Sequence, residues 1–318
     1  MREIVTVTGT ITAADIGFCQ FHEHLLIRKG RSFEVNPALC MEDIDKSTEE
    51  VRAYKAAGGS TLIDAQPGGC GRMADGLEEI SKVTGVHIIC STGFHKMVFY
   101  AKDHWIFSAD EDQIREFFVQ ELTEGVHNEC DKKFSERIGR QKAGIIKCAL
   151  DQENLTPQYE KLFRAAAETA VKTERTMMIH IEKGSNPVML QQWLMDRGVD
   201  PKTMVFCHLD RAVAKPEIYS QILRNGSYLE FDTIGRFKYH SDEQEIEKIL
   251  RLLNEGYEDQ LLFSLDTTRE RLRAYDPKGV GLTYILDTFL DKMMQAGITK
   301  EQIEKISNKN CIRALTGS

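Results

Sequence analysis

Short runs of apolar, β-branched and aromatic residues recur along the chain, and each is followed by a stretch whose apolar positions return at i+3 and i+4. The runs are GFCQFHEHLLI (17–27), STLIDAQP (60–67), HIICSTGF (87–94), AGIIKCAL (143–150), TMMIHIEKG (176–184), TMVFCHLD (203–210), YLEFDTIG (228–235) and LLFSLDTT (261–268). Near-continuous apolar runs of this length predict strands buried on both faces, as in a parallel sheet. The intervening segments predict helices: STEEVRAYKAAGG, ADGLEEISKVTG, DEDQIREFFVQELTEG, TPQYEKLFRAAAETAVKTER, NPVMLQQWLMDRG, AKPEIYSQILRNG and SDEQEIEKILRLLNEG. Many open on Ser, Thr, Asp or Asn and many close on Gly, the usual signals at helix ends. Eight such strands alternating with helices over 318 residues predict an α/β fold, a single closed (β/α)8 TIM barrel spanning residues 1–318 as one domain. A short β-ribbon over residues 2–12 (REIVTVTGTIT) precedes the barrel, and two helices, GLTYILDTFLDKMMQAG and KEQIEKISNKNCIRAL, follow it. The longest departures from the alternation, Arg28–Lys46 and His95–Ala109, are expected to shape the active face.

Composition changes this picture little and narrows the function. With 42% hydrophobic and 28% charged residues the chain can bury a large core and still present a soluble surface. No apolar run reaches membrane-spanning length and MREIVTVTGT lacks a secretory pattern, so no membrane association and a cytoplasmic location are expected. The eight cysteines are scattered, several within apolar strands, which argues against a disulfide framework or a thiolate zinc site. A net charge of −8 disfavours a general nucleic-acid binder, while a small anionic substrate stays open if positive charge gathers locally.

The polar residues at the strand ends are more telling. QFHEHLLI places His22 and His24 two residues apart, so both imidazoles project to one side of a strand while Glu23 faces the other, for packing or support. Lys147 lies near the end of the fourth strand, His180 ends the fifth, His208 the sixth and Asp266 the eighth. Taken singly, each has an ordinary explanation: a snorkelling lysine, a satisfied core histidine, a helix-capping aspartate. Six of them on the carboxyl-end rim of one barrel, where barrel active sites lie, would require every such explanation to hold at once. Four imidazoles, one carboxylate and one lysine exceed the needs of one tetrahedral zinc. They suit two metal ions if the Lys147 amine takes up carbon dioxide, because a carbamate can bridge two cations as a carboxylate does.

HEH on the first strand, IIK on the fourth, MIH on the fifth, FCHLD on the sixth and SLDTTR on the eighth resemble the phosphotriesterase family of the amidohydrolase superfamily. The resemblance runs from about Gly9 to the C-terminal helices. It implies a binuclear divalent centre, with zinc first and manganese, cobalt or iron as alternatives. His22, His24 and Asp266 would hold one metal and His180 and His208 the other, with N6-carboxylated Lys147 and a hydroxide between them. Asp266 would also carry the proton from that hydroxide to the leaving group.

Specificity is expected in the loops. Arg236, Lys238, His240, Arg269, Arg271, Arg273 and Tyr275 follow the seventh and eighth strands, a frequent phosphate-binding location in this fold. DTIGRFKYH and DTTR also resemble the subgroup that hydrolyses phosphorylated sugar lactones. The expected substrate is therefore a furanose 1,4-lactone with a 5-phosphate, its ring ester at the metals and its phosphate at Lys238 and Arg269. Arg236, Tyr275, His95, Lys96 and Tyr100 are further candidate contacts. Where several lactonase relatives carry a tyrosine after the third-strand TG, this chain has His95, which favours polar lactones over long acyl ones. Two alternatives compete: a promiscuous esterase or phosphotriesterase with an apolar pocket of Phe94, Met97, Val98, Phe99 and Trp105, and a catalytically inactive metal- or ligand-binding barrel. Exposed apolar loop residues suggest a homodimer.

Overall fold

Strand pairing in the computed structural model, which describes residues 3–131, 133–134, 138–212 and 215–317, follows the alternation closely. Arg2 and Ala214, at the starts of the predicted ribbon and sixth helix, lie outside the described residues. Strands β1 (Ile4–Thr6) and β2 (Gly9–Ile11) form the antiparallel ribbon. Then come β3 (Phe18–Glu23), β4 (Gly59–Asp64), β5 (His87–Gly93), β6 (Ile145–Leu150), β7 (Met177–Ile181), β8 (Met204–Cys207), β9 (Tyr228–Phe231) and β10 (Leu261–Phe263). Each pairs in parallel with the next, in the unbroken order β3 to β10. Helices including Ile44–Ala56, Ala74–Thr84, Glu111–Thr123, Pro157–Thr173 and Asp242–Asn254 separate them. Their starts are held as the sequence signals require: Asp43, Asp110, Thr156 and Ser241 each accept a hydrogen bond from a backbone N–H of the first turn. Among the described residues no helix is long and apolar enough to cross a membrane.

Two apolar layers result. Met177, Ile179 and Ile181 of β7 pack outward with the helices, while Met178 faces the barrel interior beside Ile145, Val205 and Leu262. The period of two then carries Lys147 inward two residues after Ile145, and His180 inward two residues after Met178. β3 breaks this rule. Cys19 and Phe21 belong to the interior layer, so strict alternation would turn His22 outward. The β3–β4 register shifts between Gln20 and Glu23, and the local irregularity brings His22 into the barrel mouth.

The barrel closes between β3 and the segment after β10 through a seam unlike a regular ladder. The Asp266 N–H donates to the His22 carbonyl at 3.1 Å. The buried Glu23 carboxylate accepts the N–H groups of Leu265 at 2.8 Å and Thr267 at 3.1 Å. Thr267 exchanges hydrogen bonds with the backbone of His24 in both directions. Glu23, expected to play a supporting part, is thus the side chain that positions both the paired histidines and Asp266. Truncation to alanine orphans two buried donors, and Glu23→Ala should lose about 2–4 kcal/mol of stability in urea denaturation, with Glu23→Gln milder. An unchanged midpoint for the alanine variant would show that the seam holds without this carboxylate.

Candidate active site

The structure brings all six strand-end residues together at the carboxyl ends of the barrel strands. Asp266 Oδ1 lies 3.7 Å from His22 Nε2 and 3.6 Å from His24 Nε2. The ligating atoms of these three residues all fall within 4.8 Å of one another. His208 bridges this trio to His180, with ring centroids 5.1 Å from His22 and 4.3 Å from His180. Lys147 is fully buried, with Nζ 3.0 Å from His22 Nε2 and 3.5 Å from Met178 Sδ.

Backbone strain accompanies this convergence. His208 sits just past β8 at φ +66° and Asp266 three residues past β10 at φ +50°, both in the left-handed region that costs a non-glycine residue energy. Asp232 holds His208 in place: its carboxylate accepts the His208 N–H at 2.8 Å and faces Nδ1 at 2.7 Å. The same carboxylate lies 3.5 Å from His22 Nδ1. With Nδ1 of His208 occupied by a carboxylate, its Nε2 is left to face the site, as in a metal-ligating histidine.

The donor set passes a test that ordinary core packing fails. His180 Nε2 is buried without a hydrogen bond, the Glu182 carboxylate standing off at 3.5 Å, which leaves this nitrogen available to a cation. Burial pushes the His24 imidazole down to about 3 and that of His180 to about 4, so both rings are neutral near pH 7 and can donate to a cation. Burial also pushes His208 well below its ordinary value. Asp266 goes the other way to its burial: the charge of Arg236, with His208, His22 and Arg211, holds it well below the usual carboxylate range. Lys147 forms no ion pair with a carboxylate among the described residues; its polar neighbours are His22 Nε2 and the Met178 sulfur. His22 differs: against burial and the Lys147 charge, the carboxylates of Asp232, Glu230 and Asp266 raise it to about 9, so a cation there takes the place of a proton, and with that exchange the residues present fit a pair of divalent cations.

Above this cluster is a cavity of about 180 Å³, small enough to favour a compact ring over a long chain. Arg236, Lys238 and His95 line it as expected. Arg236 donates to Asp266 Oδ2 at 2.7 Å and to the Asp266 carbonyl at 3.0 Å, and Lys238 is exposed beside the Tyr239 ring.

Three expected contacts do not reach the cavity. Arg269, one residue past Thr268 of the lining, is exposed because the chain turns there into the short 3-10 helix Arg269–Arg271. The Tyr275 hydroxyl is engaged with Ser47 and the Asp43 carbonyl. Tyr100 is buried, its hydroxyl accepting the His95 N–H at 2.9 Å. Of the other loop cations, Arg271 donates to the carbonyls of Ile234 and Gly235, Arg273 is exposed, and His240 bonds Thr233. The proposed apolar pocket is not assembled either: Phe94 packs on Phe163, Trp105 lines a different cavity, and of the five only Phe99 lines this one.

Other residues in the lining escaped the sequence reading. Arg211, three residues after His208, reaches Asp266 Oδ2 at 3.4 Å. Glu182, two residues after His180, pairs with Lys96 at 2.6 Å. Both lie within three residues of a strand-end histidine, and that proximity was the available signal. Gln66, Thr268 and Tyr239, with Ile27, Ser32, Asn36 and Leu39, complete this set.

A (β/α)8 barrel with four histidines, an aspartate and a buried lysine at its carboxyl-end rim defines the class of metal-dependent barrel hydrolases. Residues 2–315 match the model of the phosphotriesterase family, and the chain belongs to that family. It is 30% identical to a phospho-furanose lactonase of Mycoplasmopsis synoviae (strain 53), over 98% of this chain and 90% of that protein. It is 28% identical to an N-acetyltaurine hydrolase of Danio rerio, over 93% of this chain and 84% of that protein. The crystal structure of an amidohydrolase from Mycoplasma synoviae superposes with a TM-score of 0.93 at 28% identity, covering 99% of this chain and 92% of that one. The protein is a metal-dependent hydrolase.

Proposed function

We propose that the protein hydrolyses a furanose 1,4-lactone carrying a 5-phosphate. The observation that carries this reading is the cationic wall of a small cavity: Arg211, Arg236 and Lys238 gather over the metal-ligand cluster in a chain of net charge −8. A neutral triester or aryl ester gains little from that wall, and the apolar pocket it would use is not assembled. The similarity to a phospho-furanose lactonase supports the same choice. An inactive barrel would have no need of a complete ligand set.

In this reading His22, His24 and Asp266 would hold one divalent ion and His180 and His208 the other, with Lys147, once carboxylated, as a further ligand. Metal held there would supply a water that ionises near neutral pH and a Lewis acid for the carbonyl under attack. Asp266, kept anionic by Arg236, accepts the proton of the attacking water and delivers it to the ring oxygen as the C–O bond breaks, giving the hydroxy acid. Arg236 orients that carboxylate by binding Oδ2 and leaving Oδ1 toward His22 and His24. Lys238, exposed at the cavity, binds the phosphate as a point charge.

The test compares kcat/KM for one furanose 1,4-lactone with and without its 5-phosphate, on protein reconstituted with divalent metal and bicarbonate. A preference of about 100-fold, or ~2.7 kcal/mol of transition-state binding, is expected. Equal turnover would redirect the search to neutral esters. Lys238→Ala should raise KM for the phosphorylated lactone about 10-fold and leave the unphosphorylated one nearly unaffected. A KM unchanged for both would take the phosphate away from Lys238.

A further inference from the structure

One charged pair in the cavity stands beside the ligand cluster without belonging to it, Glu182 Oε2 lying 3.5 Å from His180 Nε2. Lys96 follows β5 and Glu182 follows β7, and their side chains meet with Lys96 Nζ 2.6 Å from Glu182 Oε2. Both line the cavity and neither is sealed from it: the side chains are 18% and 33% exposed. In an eight-stranded barrel of this order β5 stands four strands from β9, so Lys96 rises from the side opposite the loop of Arg236 and Lys238. The cavity thus has one wall where Arg211 and Arg236 share the single carboxylate of Asp266 beside Lys238, and another where Lys96 and Glu182 are matched one to one.

We propose that the Glu182–Lys96 pair reads the hydroxyl groups of a polyhydroxylated substrate, an inference that rests on the lactone reading for its substrate class. The pair is held in place. Glu182 Oε1 accepts the Lys183 N–H at 3.0 Å, Oε2 accepts Lys96, and the Glu182 carbonyl is held by both the N–H and the hydroxyl of Ser185. A carboxylate has about four acceptor sites and an ammonium three donors, so each group retains free valence after these bonds. A hydroxyl donates and accepts at once, and two vicinal hydroxyls can give protons to Glu182 while accepting from Lys96. A phosphate would be repelled by Glu182, which sends the anionic end of the substrate to the other wall. An apolar acyl chain would displace water from both groups and return no hydrogen bond, a penalty that excludes it. Glu182 and Lys96 are therefore specificity-determining residues, with hydroxyl groups on the ring as the feature they select.

The experiment is equilibrium binding, by titration calorimetry on the metal-reconstituted protein, of two ring-opened acids: a five-carbon sugar-acid 5-phosphate and its 2,3-dideoxy counterpart. The wild type should bind the hydroxylated acid about 30-fold tighter, the scale of a hydrogen bond to a charged group. Glu182→Ala and Lys96→Met should each reduce that ratio to below about threefold, with Glu182→Gln between them. A simple loss of structure would weaken both acids together and leave the ratio standing. Equal binding by the wild type, binding of neither acid, or a preference that survives in both Glu182→Ala and Lys96→Met overturns the inference. Lactone turnover is read separately: a wild type that discriminates between the acids but opens neither lactone would refute the proposed reaction and keep the hydroxyl reading.

Discussion

Replacing Asp266 with asparagine is expected to lower kcat by roughly 100- to 10,000-fold while most of the bound metal remains, measured by steady-state kinetics beside elemental analysis. Asparagine is the informative substitution because Asp266 has φ +50°, and asparagine tolerates the left-handed region better than alanine does. The fold and the carbonyl-type oxygen facing His22 and His24 should survive. What is lost is the charge. The amide cannot take a proton from water near neutral pH, and the guanidinium of Arg236, 2.7 Å from Oδ2, loses its counter-ion with Arg211 close behind at 3.4 Å. Two uncompensated cations beside the ligand cluster would also weaken metal retention somewhat, an effect that excess metal in the assay corrects. A kcat within about twofold of wild type, at full metal content, would remove Asp266 from proton transfer.

The strand-end residues were legible because a parallel barrel leaves strong, periodic marks. Apolar runs locate the strands, and their last inward-facing positions can carry polar residues only at the rim. That reasoning finds Lys147 and His180 from alternation alone. It reaches His22 for an incomplete reason, since strict alternation from Cys19 and Phe21 would turn His22 outward and the register shift in β3 turns it back. The left-handed backbone of His208 and Asp266 leaves no mark in composition either, because it is imposed by Asp232 and by the Glu23 seam, both distant in sequence.

The loops are where nearness in sequence misleads. Arg269 follows the lining residue Thr268 directly, yet one short turn exposes it, whereas Arg211 arrives from another strand and contacts Asp266. Which loop cations face inward depends on turn geometry and on partners such as the carbonyls of Ile234 and Gly235 that engage Arg271. Neither is written in a charge pattern.

Lys147 offers the second large effect, because stability and function should move in opposite directions there. The side chain is fully buried, its nearest polar neighbour is an imidazole nitrogen, and no carboxylate among the described residues pairs with it. A charge buried in that position carries a desolvation cost of several kcal/mol, and no carboxylate pairs with it among the described residues. Methionine is nearly isosteric, and its thioether would pack beside Met178. In the presence of a chelator, Lys147→Met should be more stable than wild type by about 1–4 kcal/mol in chemical denaturation. Adding divalent metal and bicarbonate should reverse the order. On the proposed reading, carbon dioxide would then convert the wild-type amine to a carbamate with release of a proton, metal would bind the folded state, and stability would rise by linkage. The methionine variant has no amine to carboxylate and should lose nearly all turnover together with much of its metal. A Lys147→Met protein less stable than wild type under chelation would mean that the ammonium has a stabilising partner after all. Metal uptake by the wild type that ignores bicarbonate would separate Lys147 from the metal site.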